Sequence, residues 1–142
     1  MFGKRTKAEN GAKRLRGLAF FEGFTDADLD RIAELAESVE AESGAVLMEQ
    51  GRVGQECYII ESGQAGVFVA EEHVVTLGPG SMVGEMALLD HRPRTATVVT
   101  ETPARLLAFD TKAFRQLLSE MPKAEERIHA LLADRLKANQ AD

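Results

Sequence analysis

Cysteine, proline and aromatic residues are scarce in this chain of 142 residues. Its single cysteine, Cys57, cannot form an internal disulfide, and a lone thiol is untypical of oxidising compartments, so we expect a cytoplasmic protein. Apolar runs reach only four residues, as in Val67 to Ala70, whereas a membrane-spanning helix needs roughly 18. The basic N-terminus is not followed by the apolar stretch of a secretory signal. We therefore predict neither a transmembrane segment nor a signal peptide.

The chain carries 17 Lys and Arg against 23 Asp and Glu, a formal charge of −6. Residues 1–17 hold six bases against Glu9, a net +5, which leaves 11 bases against 22 acids, or −11, in residues 18–142. An acidic body repels nucleic acid, so no nucleic-acid partner is expected. We interpret residues 1–17 as a solvated, partly disordered basic leader, with docking to an anionic membrane or acidic protein as the alternative. Residues 18–142 are expected to form one domain.

The patterning predicts a mainly β domain with flanking helices. The spacing of apolar residues predicts a helix from Phe24 to Glu40, with Thr25 as its cap. Short β-rich runs separated by turn residues follow from Ala41 to Asp110 and indicate an antiparallel β-roll or jelly-roll barrel. Two helices should close the chain. The first is capped by Thr111 and reaches about Glu120, and the second begins with Pro122 in its first turn and continues to about residue 138.

The last predicted helix carries an apolar stripe at spacings of three and four residues. This spacing fits packing against the barrel and fits equally a moving lid or a dimer seam. The stripe consists of Ile128, Leu131, Leu132 and Leu136.

Residue sets that carry catalysis or bind metals are missing from the sequence. The three histidines, His73, His91 and His129, lie far apart, and there is no cysteine cluster, so a metal site is not expected. No nucleophile elbow, Walker loop or dinucleotide-binding glycine pattern occurs. We therefore predict that the protein is not an enzyme and has no catalytic residues. A metal-dependent cupin-like barrel enzyme is the alternative that these absences disfavour.

The most informative segment is GPGSMVGEMALLDHRPRTATVVT, residues 78–100. A short helix beginning near Gly84 would direct free backbone N–H groups at an anion. Arg94 can offer a phosphate a planar pair of donors, and Thr95 adds a hydroxyl. Glu85 would accept a hydrogen bond from a neutral group such as a sugar hydroxyl. These residues together suggest a phosphorylated sugar, but a structural ion pair between Glu85 and Arg94 explains them equally well.

A resemblance separates these two interpretations. The string GEMALLDHRPRTATV closely resembles the phosphate-binding cassette of the cyclic nucleotide-binding domain family, although Val83 stands where the family usually has Phe. Upstream, VLMEQGRVGQECYIIESGQAGVFV resembles the glycine-punctuated strands of the family, and FFEGFTDADLDRIAELA resembles its N-terminal helical segment. The likeness extends from residue 18 to about residue 138. The cassette positions that match are Gly84, Glu85, Ala87, Leu88, Arg94, Ala96 and Thr97.

The resemblance implies a role for each ligand-binding residue. Glu85 would hold the ribose 2′-hydroxyl and Arg94 the cyclic phosphate. The N–H groups around Met86 and Ala87, next to Gly84, would assist, as would Thr95 and Ala96. An apolar wall for the base would consist of Val75, Leu77 and Val83.

The resemblance also implies a non-catalytic sensor that needs no cofactor besides its ligand. We favour cAMP over cGMP as the common bacterial messenger, although a hydroxyl at the position of Thr95 often accompanies cGMP in the family. In the family the last helix folds over the base as a lid, with Leu132 and Arg135 as candidates here. Ligand would shift that helix, and a protein effector or a second copy of the chain would respond. A degenerate member acting as a constitutive protein-interaction module is the alternative.

The termini favour a complete small protein, with a regulatory domain excised from a larger channel or regulator as the alternative. The chain starts at Met1 and carries no purification tag. The resemblance assigns residues 111–142 to closing helices, so we expect no output domain within the chain.

Overall fold

Short apolar runs between glycine-rich turns form two antiparallel sheets that face each other, with helices packed on the outside of one sheet. The computed structural model describes residues 3–84 and 93–130. One sheet has the order β1-β2-β9-β4-β7 and the other the order β3-β8-β5-β6. The predicted antiparallel β-roll is therefore confirmed. The strands are β1 (Lys4–Lys7), β2 (Glu37–Ala41), β3 (Val46–Met48), β4 (Glu56–Ser62), β5 (Ala65–Val69), β6 (Glu72–Leu77), β7 (Met82–Val83), β8 (Thr97–Thr100) and β9 (Ala104–Asp110).

The helices lie at both ends of the described chain. They are α1 (Gly11–Leu15), a 3-10 turn (Ala19–Phe21), α2 (Asp26–Leu35), α3 (Thr111–Glu120) and α4, which covers residues 122–130. Two C-terminal helices are present as predicted, the second being described as far as residue 130, and Pro122 stands at the first position of α4. Among the described residues, no helix is both long and apolar enough to cross a membrane. The short phosphate-binding helix was predicted to begin near Gly84, and the residues that follow Gly84, 85–92, lie outside the described residues.

The five-stranded sheet is covered on both faces, which explains why β4 reads as a continuous apolar run rather than an alternating one. On one face, Tyr58 and Ile60 join the cluster inside the barrel. On the other face, Cys57 and Ile59 join the cluster beneath the helices. Charged groups attached to this sheet therefore belong either to the barrel interior or to the helix side.

The basic N-terminus is part of the fold. Strand β1 pairs with β2, with Arg5 opposite Val39, and Ala8 and Leu15 are only 2% and 0% exposed in the helix-side core. The expectation of a solvated, partly disordered leader is therefore wrong for these residues. Charge alone was misleading because three basic residues have carboxylate partners in the body, and two of these pairs are partly buried. Arg5 pairs with Glu56, and Arg14 pairs with Glu61.

Two predicted helix boundaries need correction. Helix α2 starts after Thr25 with the predicted cap, since the Thr25 hydroxyl accepts from the Asp28 backbone. It ends at Leu35 and not at Glu40, because Glu37–Ala41 pairs with β9 as strand β2. Helix α3 is capped by Asp110, whose carboxylate accepts from the Ala113 backbone, so Thr111 is its first residue and not its cap.

The predicted apolar stripe of the last helix is described only at its start. Ile128 is fully buried in the helix-side core. Leu131, Leu132, Arg135 and Leu136 lie outside the described residues.

Candidate functional site

Arg94 is a buried cation in the segment just before β8. It is 6% exposed, and within residues 3–84 and 93–130 no other charged residue is buried as a whole. Its Nη1 donates to the Gly84 carbonyl at 2.6 Å, and its Nη2 donates to the Glu56 carbonyl. Since a guanidinium is rigid and planar, these contacts to the first residue of β4 and to the residue after β7 orient it.

The backbone of Arg94 is also held in place. Its N–H donates to the Arg52 carbonyl at 2.7 Å, and its own carbonyl accepts from the Gly51 N–H at 2.9 Å. The preceding residue, Pro93, forms an isolated antiparallel bridge with Val53. The turn before β4 therefore anchors the start of β8 directly beside the guanidinium.

Two glycines create the space that the Arg94 side chain occupies. A Cβ on Gly54 would overlap the Cζ, Nε and Nη2 atoms of Arg94. A Cβ on Gly84 would lie 2.7 Å from Arg94 Nη1, and Gly84 has a φ of +90°, in the left-handed region that favours glycine. Gly84 was predicted as a site residue. Gly54 was noted only as part of the family's glycine pattern, so its contact with Arg94 is new.

A second arginine lies on the other side of Glu56. Arg5 Nη1 and Nη2 donate to the two oxygens of the Glu56 carboxylate at 2.5 and 2.6 Å, and the Tyr58 hydroxyl donates to Glu56 Oε1 at 3.1 Å. The Arg5 hydrogen bonds lower the pKa of Glu56 against the opposing effect of its partial burial. Burial, followed by the Glu56 charge, raises the pKa of Tyr58. No sequence motif links Arg5 to Glu56, which lie 51 positions apart, so sequence reasoning missed this cluster.

The three residues predicted to face the base differ in exposure. Val83 is 3% exposed inside the barrel and Leu77 packs partly against the same cluster, whereas Val75 is 44% exposed. Val75 pairs with Val67 on β5, and Val67 pairs in turn with Val98 on β8. Because directly paired residues share a face of the sheet, these three valines form one apolar row that runs from the core to an open edge.

The remaining predicted residues flank Arg94 or lie outside the described residues. Thr95 is exposed, and Ala96 is 8% exposed. Glu85, Met86 and Ala87 fall within residues 85–92, of which nothing structural is described. For the part of the chain that is described, no group of three or more His, Cys, Asp and Glu could hold a metal ion. The described residues thus provide a buried, oriented cation and, on β5, β6 and β8, a partly exposed apolar row.

Comparison with known proteins identifies the family. The chain matches the model of the cyclic nucleotide-binding domain over residues 38–121, a range that contains Arg94 and both glycines. More than half of the chain is matched. The chain therefore belongs to the cyclic nucleotide-binding domain family.

Individual relatives agree with this assignment. A cAMP-dependent protein kinase regulatory subunit of Mucor circinelloides f. lusitanicus is 39% identical over 110 residues, which cover 72% of this chain and 26% of that protein. The Cyclic AMP receptor protein of Thermus thermophilus is 30% identical over 128 residues, which cover 87% of this chain and 59% of that protein. Among solved structures, the Thermus thermophilus Catabolite Activator Protein has a TM-score of 0.79 at 28% identity, covering 86% of this chain and 60% of that one. The chain thus spans less than two thirds of each of these relatives.

Proposed function

We propose that this protein binds a cyclic nucleotide, cAMP in preference to cGMP, and acts as a non-catalytic sensor. One observation carries the proposal, namely the buried Arg94 guanidinium that the carbonyls of Gly84 and Glu56 hold in a fixed plane. A phosphate in such a partly desolvated place gains strong charge-assisted hydrogen bonds. Two relatives are a cAMP-dependent kinase subunit and a cyclic AMP receptor by name, which supports cAMP as the ligand.

The other contacts follow from the family resemblance. Glu85 holds the ribose 2′-hydroxyl, and the N–H groups around Gly84, Met86 and Ala87 bind the phosphate together with Arg94. Thr95 and Ala96, which directly follow Arg94 and precede β8, assist in binding the phosphate. These roles are proposals about residues whose types and order match the family's cassette.

The base lies against the apolar row described above. Val75 is 44% exposed on the same sheet face as the partly buried Val67, so it offers an accessible apolar surface. Leu77 and Val83 continue this surface into the barrel cluster. Burial of such side chains beneath a base contributes about 25 cal/mol per Å² of apolar area.

The output is a change in the position of α4. In this structure, Arg127 on α4 donates to the carbonyls of Ala19, Phe20 and Glu22. Lys123 Nζ donates to the Gly23 carbonyl at 2.7 Å. These contacts join α4 to the 3-10 turn through exposed or partly buried bonds, which can open locally at low free-energy cost. A ligand that favours another position of α4 shifts this equilibrium, and a protein effector or a second copy of the chain detects the shift.

Calorimetric titration with cAMP and with cGMP tests the proposal. The wild type should bind both, cAMP more tightly. Arg94→Ala removes the partner of a buried charge, which typically costs about 2 to 5 kcal/mol, so affinity should fall roughly 30-fold to several thousand-fold. Arg52→Ala is the matched control, because this neighbouring arginine has a 78% exposed side chain paired only with Glu49 among the described contacts, and its affinity should stay within about threefold.

Two results would contradict the proposal. If Arg94→Ala, folded by circular dichroism, bound as tightly as Arg52→Ala, the phosphate would lie elsewhere. If the wild type bound neither nucleotide, a constitutive protein-interaction module would become the better interpretation.

A further inference from the structure

The first residue of β4 lies between two arginines. The Glu56 carbonyl accepts from Arg94 Nη2, while the Glu56 carboxylate accepts both Nη groups of Arg5. The side chains of Arg5 and Glu56 are 16% and 24% exposed. Such partly desolvated bidentate pairs are strong and geometrically specific. The position of the Glu56 carboxylate is therefore determined mainly by Arg5.

Strand β1 brings Arg5 to this place. It pairs with β2 over four residues, with Arg5 opposite Val39. Val39 is fully buried in the barrel cluster, and paired residues share a face of the sheet. Arg5 therefore extends on the barrel side, across the sheet and toward the start of β4.

Without Arg5, the Glu56 carboxylate would be a negative charge close to the proposed phosphate position. The carbonyl of the same residue accepts directly from Arg94 Nη2, so the carboxylate lies within electrostatic reach of both cations. The hydrogen bonds and charge of Arg5 lower the pKa of Glu56 most, followed by the Tyr58 hydroxyl and the charge of Arg94. A partly buried carboxylate that loses its partner turns to another cation, because an unpaired charge is costly there. Arg94 is a cation within that reach.

We propose that Arg5 is a positioning residue of the nucleotide site. By holding the Glu56 carboxylate, Arg5 keeps it from competing with the ligand phosphate for Arg94. This inference rests on the function proposed above. It assigns to the N-terminal strand a direct effect on ligand affinity.

A second-site rescue distinguishes this role from simple stabilisation. Arg5→Ala should weaken cAMP binding at least tenfold. Adding Glu56→Gln, which removes the competing charge but keeps the backbone carbonyl, should restore affinity at least fivefold relative to Arg5→Ala alone. A merely structural role for Arg5 predicts no rescue, because the second substitution cannot restore the lost pair.

Arg14→Ala is the matched control. Arg14 also joins the N-terminal segment to the body, since its Nη2 donates to Ser38 Oγ at 2.9 Å and to Glu61 Oε1 at 2.6 Å. Ser38 pairs with Leu107, which belongs to the helix-side cluster, so this contact lies on the helix side of the sheet, whereas Arg5 lies on the barrel side. The affinity of Arg14→Ala for cAMP should stay within about threefold of that of the wild type. If Arg5→Ala does not fold, Arg5→Gln, which keeps a hydrogen-bond donor without the charge, takes its place.

A measurement on the nucleotide-free protein tests the role of Arg5 independently of whether the protein binds a cyclic nucleotide. The NMR resonance of the Arg94 Nε–H group in the nucleotide-free protein should shift in Arg5→Ala and return toward its wild-type position in the double variant. An unchanged resonance in Arg5→Ala, or a double variant that binds as weakly as the single one, would overturn the inference. If the wild type binds neither cAMP nor cGMP, the proposed function fails, and the resonance alone decides the role of Arg5.

Discussion

Adding one methyl group at Gly54 should displace Arg94 from its place. The alanine Cβ would overlap three atoms of the Arg94 guanidinium. The φ of Gly54 lies outside the left-handed region, so the backbone accepts alanine without strain and the effect is steric. Gly54→Ala therefore perturbs Arg94 without altering any charged residue.

The expected loss of stability in Gly54→Ala follows from the contacts that the displaced Arg94 side chain would lose. Forcing extra volume into a filled space costs typically about 1 to 3 kcal/mol. A displaced guanidinium also loses its hydrogen bonds to the Gly84 and Glu56 carbonyls, and bonds to charged groups contribute about 1.5 to 3 kcal/mol each. Because these costs overlap, we expect a net loss of about 2 to 3 kcal/mol in the free energy of unfolding. The loss of cAMP affinity should match that of Arg94→Ala.

A double-mutant cycle in urea measures the steric contact directly. In the Arg94→Ala background the methyl group has room, so Gly54→Ala should cost less than about 0.5 kcal/mol or even stabilise, as glycine-to-alanine changes at compatible positions do. Independent sites add within about 0.3 to 0.5 kcal/mol, so a coupling free energy of at least about 1.5 kcal/mol is expected. Gly78→Ala is the control, because its Cβ would meet no atom within 4 Å. Additive effects of Gly54→Ala and Arg94→Ala would refute the reasoning.

Three further predictions concern α4, pH and ligand choice. Arg127→Ala removes donors to the Phe20 carbonyl and neighbouring carbonyls and a cation that lies 5.3 Å from the centre of the Phe24 ring. Amide exchange in residues 122–130 should then accelerate about tenfold, and unchanged protection would contradict the docking role of Arg127. The pKa of Glu56 is lowered from its ordinary 4.5, so folding favours the ionised form, and the stability that Glu56 confers is present above pH 4.5 and lost as the pH falls through the lowered value. The stability of Glu56→Gln should therefore converge on that of the wild type in acid unfolding experiments, and a constant difference would argue against the Arg5 pair. Thr95→Ala should leave the preference for cAMP in place, whereas a wild-type preference for cGMP that disappears in this variant would reverse our choice of ligand.

Sequence reasoning succeeded where the signal is local. The Thr25 cap and the turns between strands depend on residues within a few positions of one another, so the pattern predicted α2 and most strands. It failed at β2, because ESVEA continues the apolar spacing of a helix as well as it alternates along a strand. Pairing with β9, about 67 positions away, decides between these readings, and a single sequence does not reveal that pairing.

The candidate site divides in the same way. Gly84 and Arg94 were predicted from one contiguous segment, and the structure brings them together through the Arg94 Nη1 hydrogen bond. The contact of Gly54 with Arg94 and the Arg5 pair with Glu56 join segments 40 and 51 positions apart. Sequence reasoning treated Arg5 only as part of the basic N-terminal charge and Gly54 only as a turn residue in the family's glycine pattern. Their contacts with Arg94 and Glu56 form when distant segments of the chain come together in the fold.

The N-terminal segment gives the site a physical link to α4. Residues 4–22 contact the site at one end, where Arg5 holds Glu56 beside Arg94, and contact α4 at the other, where Arg127 donates to the Glu22 carbonyl. Between these ends, Arg14 holds the segment against the sheet through hydrogen bonds to Ser38 and Glu61. Because the segment is packed, a displacement at one end can be transmitted to the other. Coupling between two sites requires an element whose arrangement both sites bias. Residues 4–22 contact both the Arg94 region and α4, which makes the basic N-terminus the structural link between the proposed nucleotide site and the proposed output helix.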